Sequence, residues 1–283
     1  MTAPSLTPAA ARLALHVAVA LFGFAALFGK WILLPATTIV LGRTLIAAAT
    51  LALVLVLRRQ RTGHPDGSTA LNGAILALHW VSFFAAVQVS SVAVGLLGYA
   101  SFPLFVLLLE WRPPTRGNGE PTTALLATIG LVVLVPDFTW SSDVVRGLAL
   151  GLVSAFTFAW LAVRNRRLVE QMQPVRIALW QNVAAAVCLA PIVGFGSIVA
   201  VPTAADVALL VVLGVVCTGL AHTLFIASMQ RVSAHAASVV AALEPVYGIA
   251  LAALLLHEVP GVRTLVGGAL IVGSAVLASR RIA

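Results

Sequence analysis

The chain has 283 residues, of which 61% are hydrophobic and only 9% are charged. Soluble globular proteins carry charge on roughly a quarter of their residues, so this composition excludes an ordinary soluble domain and predicts an all-α membrane protein. The net charge of +8 resides largely in short basic segments between apolar runs, such as RRQR at 58–61 and RNRR at 164–167. Because this distribution is typical of topology signals in loops, we expect the lipid bilayer as a partner and no nucleic acid.

Ten apolar runs in the chain are candidates for membrane-spanning helices, each of which needs about 20 residues. In chain order they lie at 11–30, 35–57, 69–88, 91–110, 122–138, 146–164, 175–195, 205–228, 235–256 and 262–279. The fifth run is short, and the segments between the runs are brief, so no separate soluble domain is predicted. The first run is long enough to remain as a span instead of being removed as a signal peptide.

The basic residues predict the orientation of these spans. If the N-terminus is cytoplasmic, most of the 17 Lys and Arg residues lie on the cytoplasmic side, and the opposite side holds Lys30, Arg146 and Arg263. An excess of Lys and Arg in cytoplasmic loops is the general rule for membrane proteins. We therefore expect a multi-pass protein of the cell (inner) membrane, with both termini cytoplasmic.

Two segments of the first half recur in the second half. AVQVSSVAVGLLGYASFP at 86–103 aligns with SMQRVSAHAASVVAALEP at 228–245, with a constant offset of 142 residues. FGFAALFGK at 22–30 aligns with FTFAWLAVR at 156–164. Five spans per half is an odd number, so two repeats, 1–138 and 139–283, would have opposite orientations. Such an inverted repeat places a binding site between its halves, near the middle of the membrane.

Ionisable residues inside the spans are candidates for function, because each costs a few kcal/mol to insert into a membrane. Glu244 lies near the middle of the ninth run, Arg43 lies within the second run and His222 lies within the eighth. Glu244 and Arg43 could form a structural polar pair, or Glu244 could handle substrate or protons, and both interpretations stay open. His222 is a further candidate for a proton site.

Two prolines occupy equivalent positions in the longer repeat. Pro103 and Pro245 each lack an amide hydrogen and clash with the preceding helical turn, so both predict a kink. The kink could be static, or it could act as a hinge for gating. The residues just before them differ, since Phe102 in one repeat corresponds to Glu244 in the other.

A histidine and several aromatic residues predict a cavity inside the membrane. His79 shares a helix face with Phe83, Tyr99 lies one turn before the first repeated proline, and Trp160 lies in the sixth run. Together these four residues could line a substrate cavity with aromatic walls and few polar groups. Ordinary packing in the protein core is the alternative interpretation.

Sequence motifs of enzymes and metal sites are not found. The sequence contains no HExxH pair, no GxSxG elbow and no glycine-rich phosphate loop. Cys188 and Cys217 stand alone in apolar segments, without the spacing of a metal site. We therefore expect no enzyme activity, no cofactor and no bound metal.

The sequence resembles the EamA-type branch of the drug/metabolite transporter superfamily. The resemblance lies in the ten spans, the two repeats and LEPVYGIALAALLLHEVPGVRTLVGGALIVGSAVL at 243–277. More narrowly, the segments at 28–48 and 79–110 are similar to YddG-type exporters of aromatic and other amino acids. The resemblance implies secondary transport of a small-molecule substrate, mostly outward, by alternating access. Carried over by position, His79, Phe83, Tyr99 and Trp160 would contact that substrate.

Other functions are compatible with this sequence. A carrier of the same fold could move a drug, a sugar or a nucleotide sugar, although such a carrier would need more polar groups in its cavity. A multi-span membrane enzyme and a non-transporting membrane protein are the remaining alternatives. The exact substrate, the driving ion and the choice between a monomer and a homodimer stay open.

Overall fold

The computed structural model of the chain describes residues 6–110, 126, 129–130, 133, 142–196 and 201–280. Within these ranges the chain forms helices joined by turns and short extended segments, with no strands. The helices are α1 Pro8–Ala25, α2 Phe28–Trp31, α3 Ala36–Leu57, α4 Gly67–Val89, α5 Val92–Tyr99, α6 Phe102–Leu109, α7 Asp143–Leu168, α8 Pro174–Gly194, α9 Ala204–Gly214, a π-helix at Val215–Leu220, α10 Ala221–Ser228, α11 Ala234–Ala241, α12 Glu244–Leu255 and α13 Val262–Arg280.

Eight helical segments in the described part of the chain are long and apolar enough to cross a membrane. They correspond to eight of the ten predicted runs. The last predicted run forms α13, in which the described residues include an apolar stretch at Val262–Ser274. The fifth predicted run, 122–138, and with it the predicted boundary between the repeats, lies mostly outside the described residues.

The outer surface of the helices is apolar, as a membrane requires. Leu53, Val187 and Leu254 lie on three different spans, and each side chain is more than half exposed. In water these side chains would favour association or burial, whereas in a bilayer they contact lipid tails. The polar residues of the spans are instead buried inside the bundle, where they lie among the central helices.

Two of the spans are each broken into two helices ahead of a proline. One span consists of α5 and α6, and the other consists of α11 and α12. A proline clashes with the carbonyl group four residues earlier in a helix. The residues four positions before Pro103 and Pro245 are Tyr99 and Ala241, and these are the last residues of α5 and α11. The prolines thus explain where both breaks occur.

The N-terminal ends of the two broken spans are also built alike. The Ser91 hydroxyl accepts a hydrogen bond from the Val94 amide, and the Ser233 hydroxyl accepts one from the Ala236 amide, both at 3.1 Å. Serine is a preferred residue for capping a helix N-terminus in this way. The starts of α5 and α6 and the end of α5 all have counterparts 142 residues later, so the repeat in the sequence has a local structural counterpart.

One span contains a π-helix that brings it close to α3. The Thr218 hydroxyl donates a hydrogen bond to the Leu213 carbonyl, five residues earlier, at 2.7 Å. Gly214 permits the close contact with α3, because a Cβ atom there would lie 2.7 Å from the Cβ of Ile46 and 3.1 Å from the Arg43 carbonyl oxygen. Single turns of π-helix are rare, and those that occur are often found at functional sites. This one places Thr218 beside Arg43.

Candidate functional site

A small cavity lies in the centre of the helix bundle. Its lining combines one acidic, one basic and two histidine side chains with a set of aromatic residues: Phe22, Ala25, Arg43, His79, Trp80, Phe83, Tyr99, Phe158, His222 and Glu244. All of these residues are buried, and none is more than 8% exposed. The cavity has about 30 Å³ for the centres of water molecules, which is room for about two waters at 10–15 Å³ each.

The basic side of the cavity is formed by Arg43, on α3. Its Nε donates a hydrogen bond to the Thr218 hydroxyl at 2.8 Å, and its Nη2 donates to the Cys217 carbonyl at 3.4 Å. The guanidinium carbon also lies 4.1 Å from the centre of the Trp80 ring and 5.2 Å from that of Phe84. The π-helix on one side and two aromatic rings on the other therefore hold the guanidinium in one position.

The acidic side of the cavity is formed by Glu244, at the break between α11 and α12. Glu244 is the first residue of α12, where the positive end of the helix dipole favours a carboxylate. The Tyr99 side chain lies beside this carboxylate. The Glu244 Oε2 atom is buried and has no hydrogen-bond partner in the described part of the chain. A buried carboxylate oxygen in this state is costly, so it marks a place where a donor can bind.

Arg43 and Glu244 do not form a direct ion pair. The ion pairs found among the described residues join Arg146 to Asp143 and Arg166 to Glu170, which are three and four residues apart in the chain. Arg43 and Glu244 instead face the same cavity from different helices. The predicted polar pair is thus a pair of separated charges, which leaves space for a third group between them.

The two buried histidines have different surroundings. His79 Nδ1 lies 2.9 Å from both the carbonyl and the hydroxyl oxygen of Ser154, and its ring stacks on Phe158 with 4.7 Å between the ring centres. His222 packs edge-on against Trp80, and neither of its ring nitrogens has a hydrogen-bond partner in the described part of the chain. His79 is therefore held in place, whereas His222 has hydrogen-bonding capacity to offer a ligand or a water molecule.

The structure brings most of the predicted site residues to one place. His79, Phe83 and Tyr99 line the cavity, together with the three ionisable residues that were predicted as polar candidates. Trp160 is not among the lining residues, and Phe158 from the same helix takes part in the lining instead. Phe158 lies two residues before Trp160 on α7, and side chains two positions apart project from different sides of a helix.

Several lining residues were not predicted from the sequence. Trp80 follows the predicted His79 directly, and Phe22 lies in the shorter repeat, so each had a signal in the sequence. Phe158 lies in the same repeat and is the residue two positions before Trp160. Thr218 had no signal, because its contact with the guanidinium depends on the π-helix, which the sequence pattern does not reveal.

Comparison with known proteins gives a family for the second half of the chain. Residues 145–280 match the EamA-like transporter family. These residues are therefore similar to an EamA-like transporter domain. A protein of Archaeoglobus fulgidus, described as an uncharacterized transporter, is 26% identical over 219 residues, which cover 77% of this chain and 78% of that protein. The match therefore reaches beyond the domain into the first half of the chain.

The fold of the chain is similar to that of a protein of known crystal structure. The two share 21% sequence identity, with a TM-score of 0.74 over 96% of this chain and 98% of the other. At this identity the similarity concerns the fold alone. It extends over nearly the whole chain, whereas the domain match covers only the second half.

The described residues contain no evident set of metal ligands. No group of three or more His, Cys, Asp or Glu side chains there could hold a metal ion. Cys188 is exposed and Cys217 is buried, and both are free thiols. What the cavity offers is a carboxylate with a vacant oxygen, a fixed guanidinium and aromatic walls, which is a set suited to binding a small charged organic molecule.

Proposed function

We propose that the protein is a secondary transporter that exports neutral or aromatic amino acids, or closely related metabolites. The EamA-like domain and the relative described as a transporter support transport of a small solute. One observation carries the choice of amino acids: the buried cavity presents Glu244 and Arg43 unpaired with one another, among aromatic side chains.

The chemistry of the lining favours an amino acid over other solutes. A neutral amino acid carries one positive and one negative group, and the cavity carries one carboxylate and one guanidinium to receive them. A nucleotide sugar would need several cationic groups for its phosphates, and Arg43 is the only Lys or Arg among the lining residues described. A sugar would need a ring of hydrogen-bonding side chains, whereas five of the lining residues are Phe, Tyr or Trp.

Alternating access is the mechanism that this arrangement supports. Transporters with inverted repeats bind substrate near the middle of the membrane, beside helices that are interrupted there. Tyr99 and Glu244 lie at the two breaks, and both line the cavity. In this proposal the two halves are the inverted repeats predicted from the sequence, both termini are cytoplasmic, and rocking of the halves opens the cavity to each side in turn.

The size of the cavity fits a closed stage of such a cycle. With room for only about two water molecules, the cavity is too small for an amino acid. Binding therefore requires the walls to move apart, and the aromatic side chains around His79 are the groups that must make way. The breaks ahead of Pro103 and Pro245 are the places where the spans can bend to allow this.

Flux into liposomes tests the proposed function. The purified protein is reconstituted, and uptake of radiolabelled L-phenylalanine, L-leucine and L-alanine is measured with and without a pH gradient, with protein-free liposomes as the control. We expect saturable uptake of at least one of these amino acids. No uptake of any amino acid, from a preparation that remains monodisperse, would contradict the proposal. An uptake rate that does not depend on the pH gradient would indicate facilitated transport instead of proton coupling.

A further inference from the structure

We infer that a bound amino acid bridges the two charged sides of the cavity, with its ammonium group on Glu244 and its carboxylate on Arg43. The inference rests on the proposed function, because it concerns the same cavity, and it adds which residue recognises which end of the substrate. It also adds a requirement, namely that a ligand must carry both charges to bind well.

The acidic side has the features of an ammonium site. Glu244 Oε2 is buried and has no partner among the residues that the structure describes, so a donor from the ligand would satisfy it. Aromatic rings surround the same position, since Tyr99 beside the carboxylate stacks on Phe102 and contacts Phe158, with 5.5 Å between the ring centres in both pairs. A carboxylate next to aromatic faces is a favourable environment for a desolvated ammonium group.

The basic side has the features of a carboxylate site. A guanidinium group has five N–H donors, and the hydrogen bonds to Thr218 and Cys217 use only part of this set. Both of these bonds go to the π-helix, so they fix the orientation of Arg43 while it lines the cavity. A fixed guanidinium is well suited to hold a carboxylate through two parallel hydrogen bonds.

The two sides belong to different pairs of helices. Arg43 is held by contacts between α3 and the π-helix, whereas Glu244 and Tyr99 lie on α12 and α5. A ligand with both charges would join these pairs and compensate both buried charges at once. An amine without a carboxylate, or an acid without an ammonium group, would leave one buried charge without a partner, which is strongly unfavourable.

Three ligands with the same phenyl group test this requirement. L-Phenylalanine carries both charges, 2-phenylethylamine lacks the carboxylate, and 3-phenylpropanoate lacks the ammonium group. Equilibrium binding of each is measured by titration calorimetry on the purified full-length protein in lipid nanodiscs. For the unaltered protein we expect L-phenylalanine to bind at least about tenfold more tightly than either analogue, since each loses one charged hydrogen-bonded pair.

Substitution of Glu244 should reverse part of this ranking. In Glu244→Gln the ammonium group loses its partner while Arg43 still attracts a carboxylate, so 3-phenylpropanoate should bind at least as tightly as L-phenylalanine. The matched control is Glu258→Gln, the same change outside the cavity lining, where the carboxylate accepts a hydrogen bond from the Val92 amide at 2.9 Å. This control should preserve the ranking of the unaltered protein.

Substitution of Thr218 probes the basic side without removing the charge of Arg43. Thr218→Val deletes the hydroxyl that accepts from Arg43 Nε, so the advantage of L-phenylalanine over 2-phenylethylamine should shrink several-fold. Thr218→Ser keeps the hydroxyl and should keep the advantage. A loss of stability alone would affect all three ligands alike and would not change their ranking.

Specific outcomes would overturn the inference. Either analogue binding the unaltered protein as tightly as L-phenylalanine would contradict bridging, and this comparison needs no variant. An unchanged ranking in Glu244→Gln would contradict the role of the carboxylate. If liposomes transport amino acids while the ranking fails in these ways, the bridging fails and the proposed function stands. If no amino acid binds or is transported, both fail.

Discussion

The two broken spans of this protein share a backbone design and differ in chemistry. Each begins after a capping serine, breaks four residues before a proline and resumes as a second helix, with an offset of 142 residues between them. The first residue after the break is Phe102 in one span and Glu244 in the other. Phe102 is buried and packs on Tyr99 and Phe158, whereas Glu244 has a buried oxygen without a partner.

The comparison separates architecture from function. Ser91, Ser233, Pro103 and Pro245 produce the same local structure twice, so they are explained by the fold. Each break then contributes a different residue to the cavity: Tyr99 is the last residue before one break, and Glu244 is the first residue after the other. Substitutions of the capping serines or of the prolines should therefore affect the two spans equally. Substitutions of residues that line the cavity should affect transport unequally.

Substitutions at the position just after each break should differ most in their effect on transport. Glu244→Gln should lower amino-acid transport by about 10- to 100-fold, because a hydrogen bond to a charged group contributes about 1.5–3 kcal/mol. Phe102→Leu keeps an apolar side chain of similar volume and should lower transport by less than about fivefold. The measurement is the initial rate of uptake into liposomes with equal amounts of folded protein. Equal losses of transport in Glu244→Gln and Phe102→Leu would contradict the claim that only Glu244 contacts the substrate.

A smaller and equal effect is expected at the two prolines. Pro103→Ala and Pro245→Ala each restore an amide hydrogen that can reach the carbonyl group of Tyr99 or Ala241, so each should make the span more continuous. We expect the maximal transport rate to fall by a similar factor of about three or more in both variants, while substrate affinity changes less, as for residues that absorb bending. The measurement is the concentration dependence of uptake. A large effect in only one variant would show that the two breaks are not equivalent.

The smallest effect is expected at the capping serines. Ser91→Ala and Ser233→Ala each remove one hydrogen bond from a helix N-terminus, which costs about 1 kcal/mol of stability. Both should lower the melting temperature of the purified protein by a few degrees, by the same amount within error, and neither should change which ligands bind. A change in the ligand ranking on substitution of either serine would connect these caps to the substrate site and weaken the distinction.

Much of the fold could be predicted from the sequence, because bilayer thickness and proline chemistry act locally. The lengths of the apolar runs predicted eight segments that the structure describes as spans, and the two prolines predicted kinks where both breaks occur. The offset of 142 residues also predicted that Glu244 has no acidic counterpart. These inferences needed only neighbouring residues along the chain.

The details of the site depend on contacts between distant residues, and there the sequence was a weaker guide. Trp160 was predicted for the cavity, but Phe158, two residues earlier on α7, lines the cavity in its place. Side chains two positions apart project from different sides of a helix, and the sequence alone did not decide which side faces inward. The guanidinium of Arg43 is hydrogen-bonded to Thr218 and Cys217 of the π-helix. No pattern in the sequence predicted that helix.

A structure of the protein with L-phenylalanine bound tests the central claim most directly. We expect the ammonium nitrogen within hydrogen-bonding distance of a Glu244 carboxylate oxygen, about 2.7–2.9 Å, with the ligand carboxylate at the same range from the Arg43 guanidinium. Arg43 should keep its contact with Thr218. A ligand bound elsewhere, or a direct ion pair between Arg43 and Glu244 with the ligand beside it, would contradict the account.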